Sequence, residues 1–192
     1  TLFIIAGYET TYTTLQFVCY ELAKNHEIQS KVMKEIQDVL GDTTEPDYDK
    51  CKSLKYMEAT IYETLRMHPP VQLLTRLVKQ KTNLNGLTVP ANSIVLIPPA
   101  NLGSDPEFFQ DPDLFNPDRF LNENKQQINP FTFLSFGQGP RSCIGMRLAM
   151  VELKIALVHI LRKVRLVDAT PNVLEIDDHT GVPVPRIPIR LH

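Results

Sequence analysis

The sequence predicts a mainly α-helical protein with small β-sheets. Three observations carry that expectation. Apolar residues recur at helical spacing in long segments near the start and the end of the chain. An Asn-Gly pair between short runs of Leu, Thr and Val marks a hairpin in the middle. A stretch rich in Pro, Asp and Asn then runs from Leu102 to Pro130 without regular periodicity. The 192 residues, 43% of them hydrophobic and 22% charged, suffice for one core.

The first helix is expected over Leu2 to about Lys24, with Leu15, Val18, Cys19 and Leu22 on one side. Gly7 weakens it by about 1 kcal/mol, and the hydroxyls of the run Thr10 to Thr14 compete for backbone carbonyls. A second helix runs from about Glu27 to Leu40 and stops at Gly41. Asp42 to Asp49 is expected to be a polar loop around Pro46. A third helix, from roughly Tyr56 to His68, ends at Pro69-Pro70. Leu84 and Leu87-Thr88-Val89 flank Asn85-Gly86 as a hairpin, and Ile94 to Ile97 reads as a further strand closed by Pro98-Pro99.

Leu102 to Pro130 is expected to be mostly loop with short helical turns, a length of loop that is usually functional. After Cys143 the pattern predicts the longest helix of the chain, reaching about Arg165. It carries two apolar stripes, one through Ile144, Leu148, Val151, Ile155 and Val158, the other through Met146, Met150, Leu153, Leu157 and Leu161. Two stripes predict burial on most sides. The tail alternates Ile187, Ile189 and Leu191 among Pro183, Pro185 and Pro188, as expected of an edge strand.

Composition narrows the function. A net charge of −2 gives no reason to expect a nucleic acid partner. Cys19, Cys51 and Cys143 are too few and too scattered for a disulfide framework or a zinc site, and an odd count fits a reducing compartment. No stretch approaches the roughly eighteen apolar residues of a membrane-crossing helix, and no signal peptide is visible. The opening Thr1-Leu2-Phe3-Ile4-Ile5-Ala6-Gly7 has neither an initiator methionine nor a helix cap. It reads as a cut inside a helix, with any membrane anchor or targeting segment expected in a missing upstream part.

The densest chemical signal lies between Phe136 and Gly145. Cys143 stands just ahead of the last helix, where the helix dipole and any bound metal favour a thiolate. Gly137 and Gly139 let the backbone pass close to something flat and bulky, and Arg141 offers a fork of donors suited to carboxylates. Together they describe a pocket for an iron porphyrin held by sulfur. Without those neighbours Cys143 reads more readily as a small buried hydrophobe.

Other residues are ambiguous by themselves. Glu63 and Arg66 lie three apart and share a helix face, as ordinary surface pairs do. Glu9 beside Thr10, at a weakened helical turn, either relays protons or is a solvated acid next to a helical threonine. Arg76 reads as an exposed charge. Arg147 and Lys154, seven apart, form either part of a basic docking patch or a solvated face.

The pattern Phe136-x-x-Gly139-x-Arg141-x-Cys143-x-Gly145 resembles the haem-binding loop of the cytochromes P450. Glu63-x-x-Arg66, then Pro117-Asp118-Arg119-Phe120, then the cysteine loop follow in the order found in that family, and the resemblance spans essentially all 192 residues. Tyr8 in the Ala6-Gly7-Tyr8-Glu9-Thr10-Thr11 turn, Leu-Arg-Met-His-Pro-Pro, and Gly-Pro-Arg-Ser-Cys-Ile-Gly-Met-Arg look most like animal microsomal members of the family 3 and thromboxane synthase group. One departure stands at Leu102-Gly103-Ser104-Asp105-Pro106, where members commonly read Leu-His-Arg-Asp-Pro; local hydrogen bonding is expected to differ there.

The resemblance implies the C-terminal portion of the cytochrome P450 fold, residues 1–192 forming part of a single domain that starts inside the oxygen-binding helix. It implies haem b (iron protoporphyrin IX) as cofactor, with Cys143 as the metal ligand. Arg141, Arg76, Phe136, Gly139, Gly145 and Ala6 join it in cofactor binding, the two arginines at the propionates. Glu63, Arg66 and Arg119 would form a buried network behind the cysteine loop. Glu9 and Thr10 would be catalytic, Thr10 hydrogen-bonding dioxygen and Glu9 passing protons towards it. Val71 to Thr75 and Thr180-Gly181-Val182 match places of substrate contact.

The implied activity is that of a haem-thiolate monooxygenase, inserting one atom of O2 into an apolar lipid, steroid or xenobiotic. Its partner would be NADPH-cytochrome P450 reductase, docked in part on Arg147 and Lys154. Its place would be the cytosolic face of the endoplasmic reticulum membrane. Two alternatives remain: a haem-thiolate isomerase of a lipid peroxide, from which the Thr10 hydroxyl argues away, and a truncated, non-catalytic fragment.

Overall fold

The computed structural model describes residues 2–41 and 46–168, with the short strand pieces 176–177, 184–185 and 190–191. Helix α1, Leu2–Lys24, runs unbroken through Gly7 and the threonine run. The hydroxyls that compete for carbonyls do so without breaking it: Thr10 Oγ1 donates to the Ala6 carbonyl at 2.7 Å and Thr14 Oγ1 to that of Thr10 at 2.7 Å. Helix α2, His26–Leu40, ends at Gly41, whose positive φ of +54° suits a residue without a Cβ and whose N–H donates to the Gln37 carbonyl at 2.9 Å.

The expected loop up to Asp49 is shorter than the sequence suggested, because helix α3, Tyr48–Ser53, begins inside it. The Asp47 carboxylate caps it, accepting from the Lys50 N–H at 2.7 Å. Helix α4, Lys55–Met67, has no cap of its own. Glu35 of α2 supplies one, accepting from the Tyr56 and Met57 N–H groups at 2.6 and 2.9 Å. These long-range bonds tie α2 to the start of α4.

Four short strands follow. β1 (Leu74–Leu77) pairs antiparallel with β4 (Ile94–Ile97), and β2 (Thr82–Leu84) with β3 (Leu87–Val89). Asn85 and Gly86 turn the hairpin with φ of +48° and +91°, as a two-residue turn with a left-handed pair requires. β1 was not foreseen as a strand; its partner β4 lies far along the sequence. Pro99–Gly103 forms α5, Pro117–Phe120 a 3-10 turn and Asn122–Gln127 α6, so the long loop region does contain short helical turns.

The final helix, α7, spans Met146–Leu161. At 16 residues it is shorter than the 23 of α1, so it is not the longest, and it stops before Arg165. Its burial is also uneven along its length, with Val158 of the first stripe fully buried. Met150, Leu153, Leu157 and Leu161 are buried, whereas Ile144, just ahead of it, is 89% exposed and Leu148 63%. One apolar stripe packs into the core and the other faces outward at its N-terminal end. Leu166–Val167 (β5) pairs with Arg190–Leu191 (β8), and Ile176–Asp177 (β6) with Val184–Pro185 (β7). Ile187, Ile189 and the Thr180-Gly181-Val182 turn lie outside the described residues.

The core is shared by α1, α2, α4 and α7, through residues such as Val18, Leu22, Val32, Ile36, Met57, Ile61, Leu65, Leu153 and Leu157. Gln29, fully buried, joins three elements: it donates to the carbonyls of Leu22 and Leu166, and accepts from the Leu166 N–H at 3.0 Å.

Gly103 sits where the backbone of α5 crosses the end of α4. A Cβ there would lie 2.4 Å from the Arg66 carbonyl oxygen. Gly103→Ala is therefore expected to destabilise the fold by about 1–3 kcal/mol, the usual cost of overpacking. Chemical denaturation of the full-length protein checks it; an unchanged midpoint would contradict the close approach. The substituted His-Arg pair of the resemblance is replaced here by local bonds, with the Ser104 hydroxyl donating to the carbonyls of Ala100 and Asn101.

Candidate functional site

The segment before α7 folds back on itself. Gly137 N–H donates to the Leu134 carbonyl at 2.8 Å, Ser142 N–H to that of Gly139 at 3.0 Å, and Cys143 N–H to that of Phe136 at 2.8 Å. Gly137 and Gly139 have φ of +67° and +75°, positions that L side chains rarely occupy, so the loop can close only with glycines there. These three backbone bonds hold the loop closed without any side chain. The Cys143 thiol is left exposed, three residues ahead of the first residue of α7.

The other two cysteines differ. Cys19 and Cys51 are buried, and burial pushes the Cys19 thiol up to about 11 and raises that of Cys51 as well. Neither is suited to act as a thiolate. Accessible sulfur chemistry falls to Cys143.

An open cleft of about 200 Å³ lies between this loop and α1. Phe136, Gly137, Arg141 and Cys143 form one wall, Thr10, Thr11 and Thr14 of α1 another, and Pro70, Val71 and Leu74 a third. Leu65, Ser135, Ala149 and Leu153 complete it. The walls are mostly apolar, with one exposed thiol and one arginine. This donor set fits a metal macrocycle: a soft sulfur ligand from below, apolar contact around the ring and a cation for its carboxylates.

Behind the loop, Glu63 and Arg66 are fully buried. Arg66 Nε and Nη2 donate to the two Glu63 oxygens at 2.8 and 2.9 Å. Arg119 Nε adds a third bond to Glu63 Oε1 at 3.3 Å, and the Asn116 N–H a fourth at 2.8 Å. Arg66 also donates to the carbonyls of Gly103 and Pro112, at 2.6 and 2.7 Å. The pair that reads as an ordinary surface bridge in isolation is the centre of a buried polar network.

The expected site residues are thus only partly gathered. Cys143, Phe136, Arg141 and Thr10 line the cleft; Glu9, Ala6, Gly139, Gly145 and Arg76 do not. Glu9 and Ala6 are exposed. Arg76 sits on β1, half-buried, its Nη1 bonded to the neighbouring Thr75 carbonyl. The Thr10 hydroxyl gives its proton to Ala6, leaving its lone pairs towards other donors. Of the Val71 to Thr75 segment, Val71 and Leu74 reach the cleft.

Lys154 corrects the expected basic patch. It is only 3% exposed, and its Nζ donates to the Cys51 carbonyl at 3.1 Å and to Glu58 at 2.8 Å, while Arg147 remains exposed. A long side chain was needed to join α7, α3 and α4 across the core edge. Burial raises the Glu58 pKa, but the Lys154 hydrogen bond and the charges of Lys154, Lys125 and Lys55 outweigh it, leaving the carboxyl below its ordinary value. A depressed carboxyl stabilises the fold above its unfolded pKa, and that contribution is lost as pH falls through the folded value.

Sequence reasoning missed Thr11, Thr14, Ser135 and Ala149 as lining residues. Thr14 carried a signal, lying one helical turn after Thr10. Ser135 carried none. Among the described residues no helix is long and apolar enough to cross a membrane.

Comparison with known proteins agrees with this geometry. The cytochrome P450 family model matches residues 1–192. The chain is 40% identical to cytochrome P450 3A27 of Oncorhynchus mykiss, over 99% of its own length and 37% of that protein's. It is 44% identical to cytochrome P450 3A7 of Homo sapiens, over 84% and 32% respectively. With cytochrome P450 3A19 of Capra hircus aegagrus it shares 38% identity over 100% of the chain and 88% of the relative. The chain thus spans about a third of the length of the first two.

Proposed function

As the chain belongs to the cytochrome P450 family, we propose that it forms the C-terminal part of a haem-thiolate monooxygenase acting on apolar small molecules. The observation that carries the reading is the cleft itself: the Cys143 thiol and the Thr10 side chain line it from different elements. Haem b bound there supplies the reduction of dioxygen and the insertion of one oxygen atom into an unactivated C–H bond.

The chain's own residues then have separable tasks. Cys143, as thiolate, holds the metal and donates electron density to it. Arg141, which lines the cleft, would pair with a propionate; Arg76, given the same role by the family resemblance, does not line the cleft, and its Nη1 would have to leave the Thr75 carbonyl at 2.9 Å to reach a second one. Phe136, Leu65, Leu74 and Leu153 exclude water from the ring faces. Thr10 can accept a hydrogen bond through its free lone pairs; to pass a proton on it would release its own from the Ala6 carbonyl and take up another in its place, with exposed Glu9, one residue before it, exchanging protons with solvent. The family resemblance also assigns Ala6, Gly139 and Gly145 to cofactor binding, and none of them lines the cleft. The apolar walls formed by Val71 and Leu74 suit a lipid, steroid or xenobiotic.

Electrons would come from NADPH through a cytochrome P450 reductase at the cytosolic face of the endoplasmic reticulum, where an N-terminal anchor of the whole protein would hold it. Thr10→Val is expected to lower product formation by on the order of 10²-fold, with substrate affinity unchanged and NADPH still consumed. Reductase- and NADPH-dependent incorporation of labelled dioxygen is the test. Turnover of a lipid peroxide with no such incorporation would favour the isomerase instead.

A further inference from the structure

The two main walls of the cleft, α1 and the cysteine loop, are joined through the last turn of α4 by two side-chain hydrogen bonds. On the loop side, Ser135 Oγ donates to the Leu65 carbonyl at 2.7 Å. On the helix side, His68 Nε2 donates to Glu21 Oε1 of α1 at 2.7 Å. The His68 ring also stacks on Phe17 of α1, with centroids 4.2 Å apart and planes 4° from parallel. Glu21 is itself fixed by Asn25, whose Nδ2 donates to its carboxylate at 3.3 Å and to its carbonyl at 2.9 Å.

The position of these bonds matters more than their number. Phe17 lies one turn beyond Thr14, and Leu65 lines the cleft as Thr14 and Ser135 do. His68 is the residue that stops α4, its N–H donating to the Thr64 carbonyl at 2.8 Å, and it leads directly through Pro69 to the lining residues Pro70 and Val71. Gln72 closes that turn by donating to the Pro69 carbonyl at 2.8 Å. The turn is therefore anchored to both walls within four residues of chain, and both anchors are side chains that a substitution can remove while leaving the helices intact.

We propose that the last turn of α4 is a spacer: His68, through Glu21 and Phe17, and Ser135, through the Leu65 carbonyl, set the gap between the Thr10–Thr14 wall and the Cys143 loop, and with it the size of molecule the cleft admits. His68 and Ser135 are positioning residues; neither touches the reacting atoms. The proposal rests on reading the cleft as the haem and substrate site.

The test uses the full-length protein. His68→Phe keeps the ring on Phe17 and removes the bond to Glu21; His68→Gln keeps a donor to Glu21. Two readouts are taken. Amide hydrogen exchange over residues 10–17 and 69–76 is expected to quicken at least threefold in H68F, and to return towards the unsubstituted rate in H68Q. The ratio of dissociation constants for 4-phenylimidazole and imidazole is expected to shift at least threefold in H68F and in Ser135→Ala, and to recover in H68Q. A purely structural role would weaken both ligands alike and leave the ratio unmoved. Unchanged exchange in H68F overturns the spacer. An unsubstituted protein that shows no spectral response to either imidazole overturns the haem reading instead, and the exchange measurement then decides the spacer alone.

Discussion

Glu63→Gln is expected to destabilise the folded protein by about 3–5 kcal/mol, because it leaves a buried guanidinium without its counter-charge. Glu63 and Arg66 are both shielded from solvent, and each carboxylate oxygen receives at least one charged donor. In the variant, Arg66 keeps its bonds to the carbonyls of Gly103 and Pro112 and its place over the Phe109 ring at 5.4 Å, so it cannot swing out to water. The charge stays in and its partner is gone. Arg119→Gln should cost less, since that side chain is 14% exposed and its bond to Glu63 is the longest of the set at 3.3 Å. The unfolding midpoint in urea, with haem retention followed in parallel, distinguishes the two. Equal effects from both substitutions would contradict a network centred on Glu63.

Cys143→Ala is expected to behave in the opposite way, sparing the fold and abolishing thiolate ligation completely. The loop is closed by the Cys143 N–H on the Phe136 carbonyl and by two further backbone bonds, none of which involves sulfur. The thiol itself is exposed, so its removal leaves no cavity. Nor can another cysteine replace it, because Cys19 and Cys51 are buried in the core with their thiols held protonated by desolvation. The apoprotein should therefore unfold at the unsubstituted midpoint, while the sulfur-dependent spectrum disappears.

These two residues mark how far the sequence could be read. The tight loop around Cys143 could be anticipated because its requirements are local: glycines with positive φ, an arginine and a helix start all lie within ten residues. The α1, α2 and α4 boundaries, the Asn85-Gly86 hairpin and the Gly41 stop were legible for the same reason. Lys154 was misread because its partners, the Cys51 carbonyl and Glu58, lie about a hundred residues away. A charged residue on an apolar helix looks solvated until its partner is known. The cap that Glu35 provides for α4 and the β1–β4 pairing were missed on the same grounds. The two stripes of α7 were real, yet the described residues leave the N-terminal end of one, Ile144 and Leu148, exposed while its far end, Val158, is buried. Glu63 and Arg66 fell in between, a generic pair locally whose importance came from the order of later motifs and is visible here as bonds to Asn116 and Arg119.

The proposed function turns on Cys143 holding haem iron as a thiolate in the cleft that Thr10 also lines. The carbon monoxide difference spectrum of the reduced full-length protein, taken beside that of Cys143→Ala, tests it most directly. A strongly red-shifted Soret band is expected in the unsubstituted protein, with its complete loss in the variant. A band that survives the substitution unchanged would contradict it.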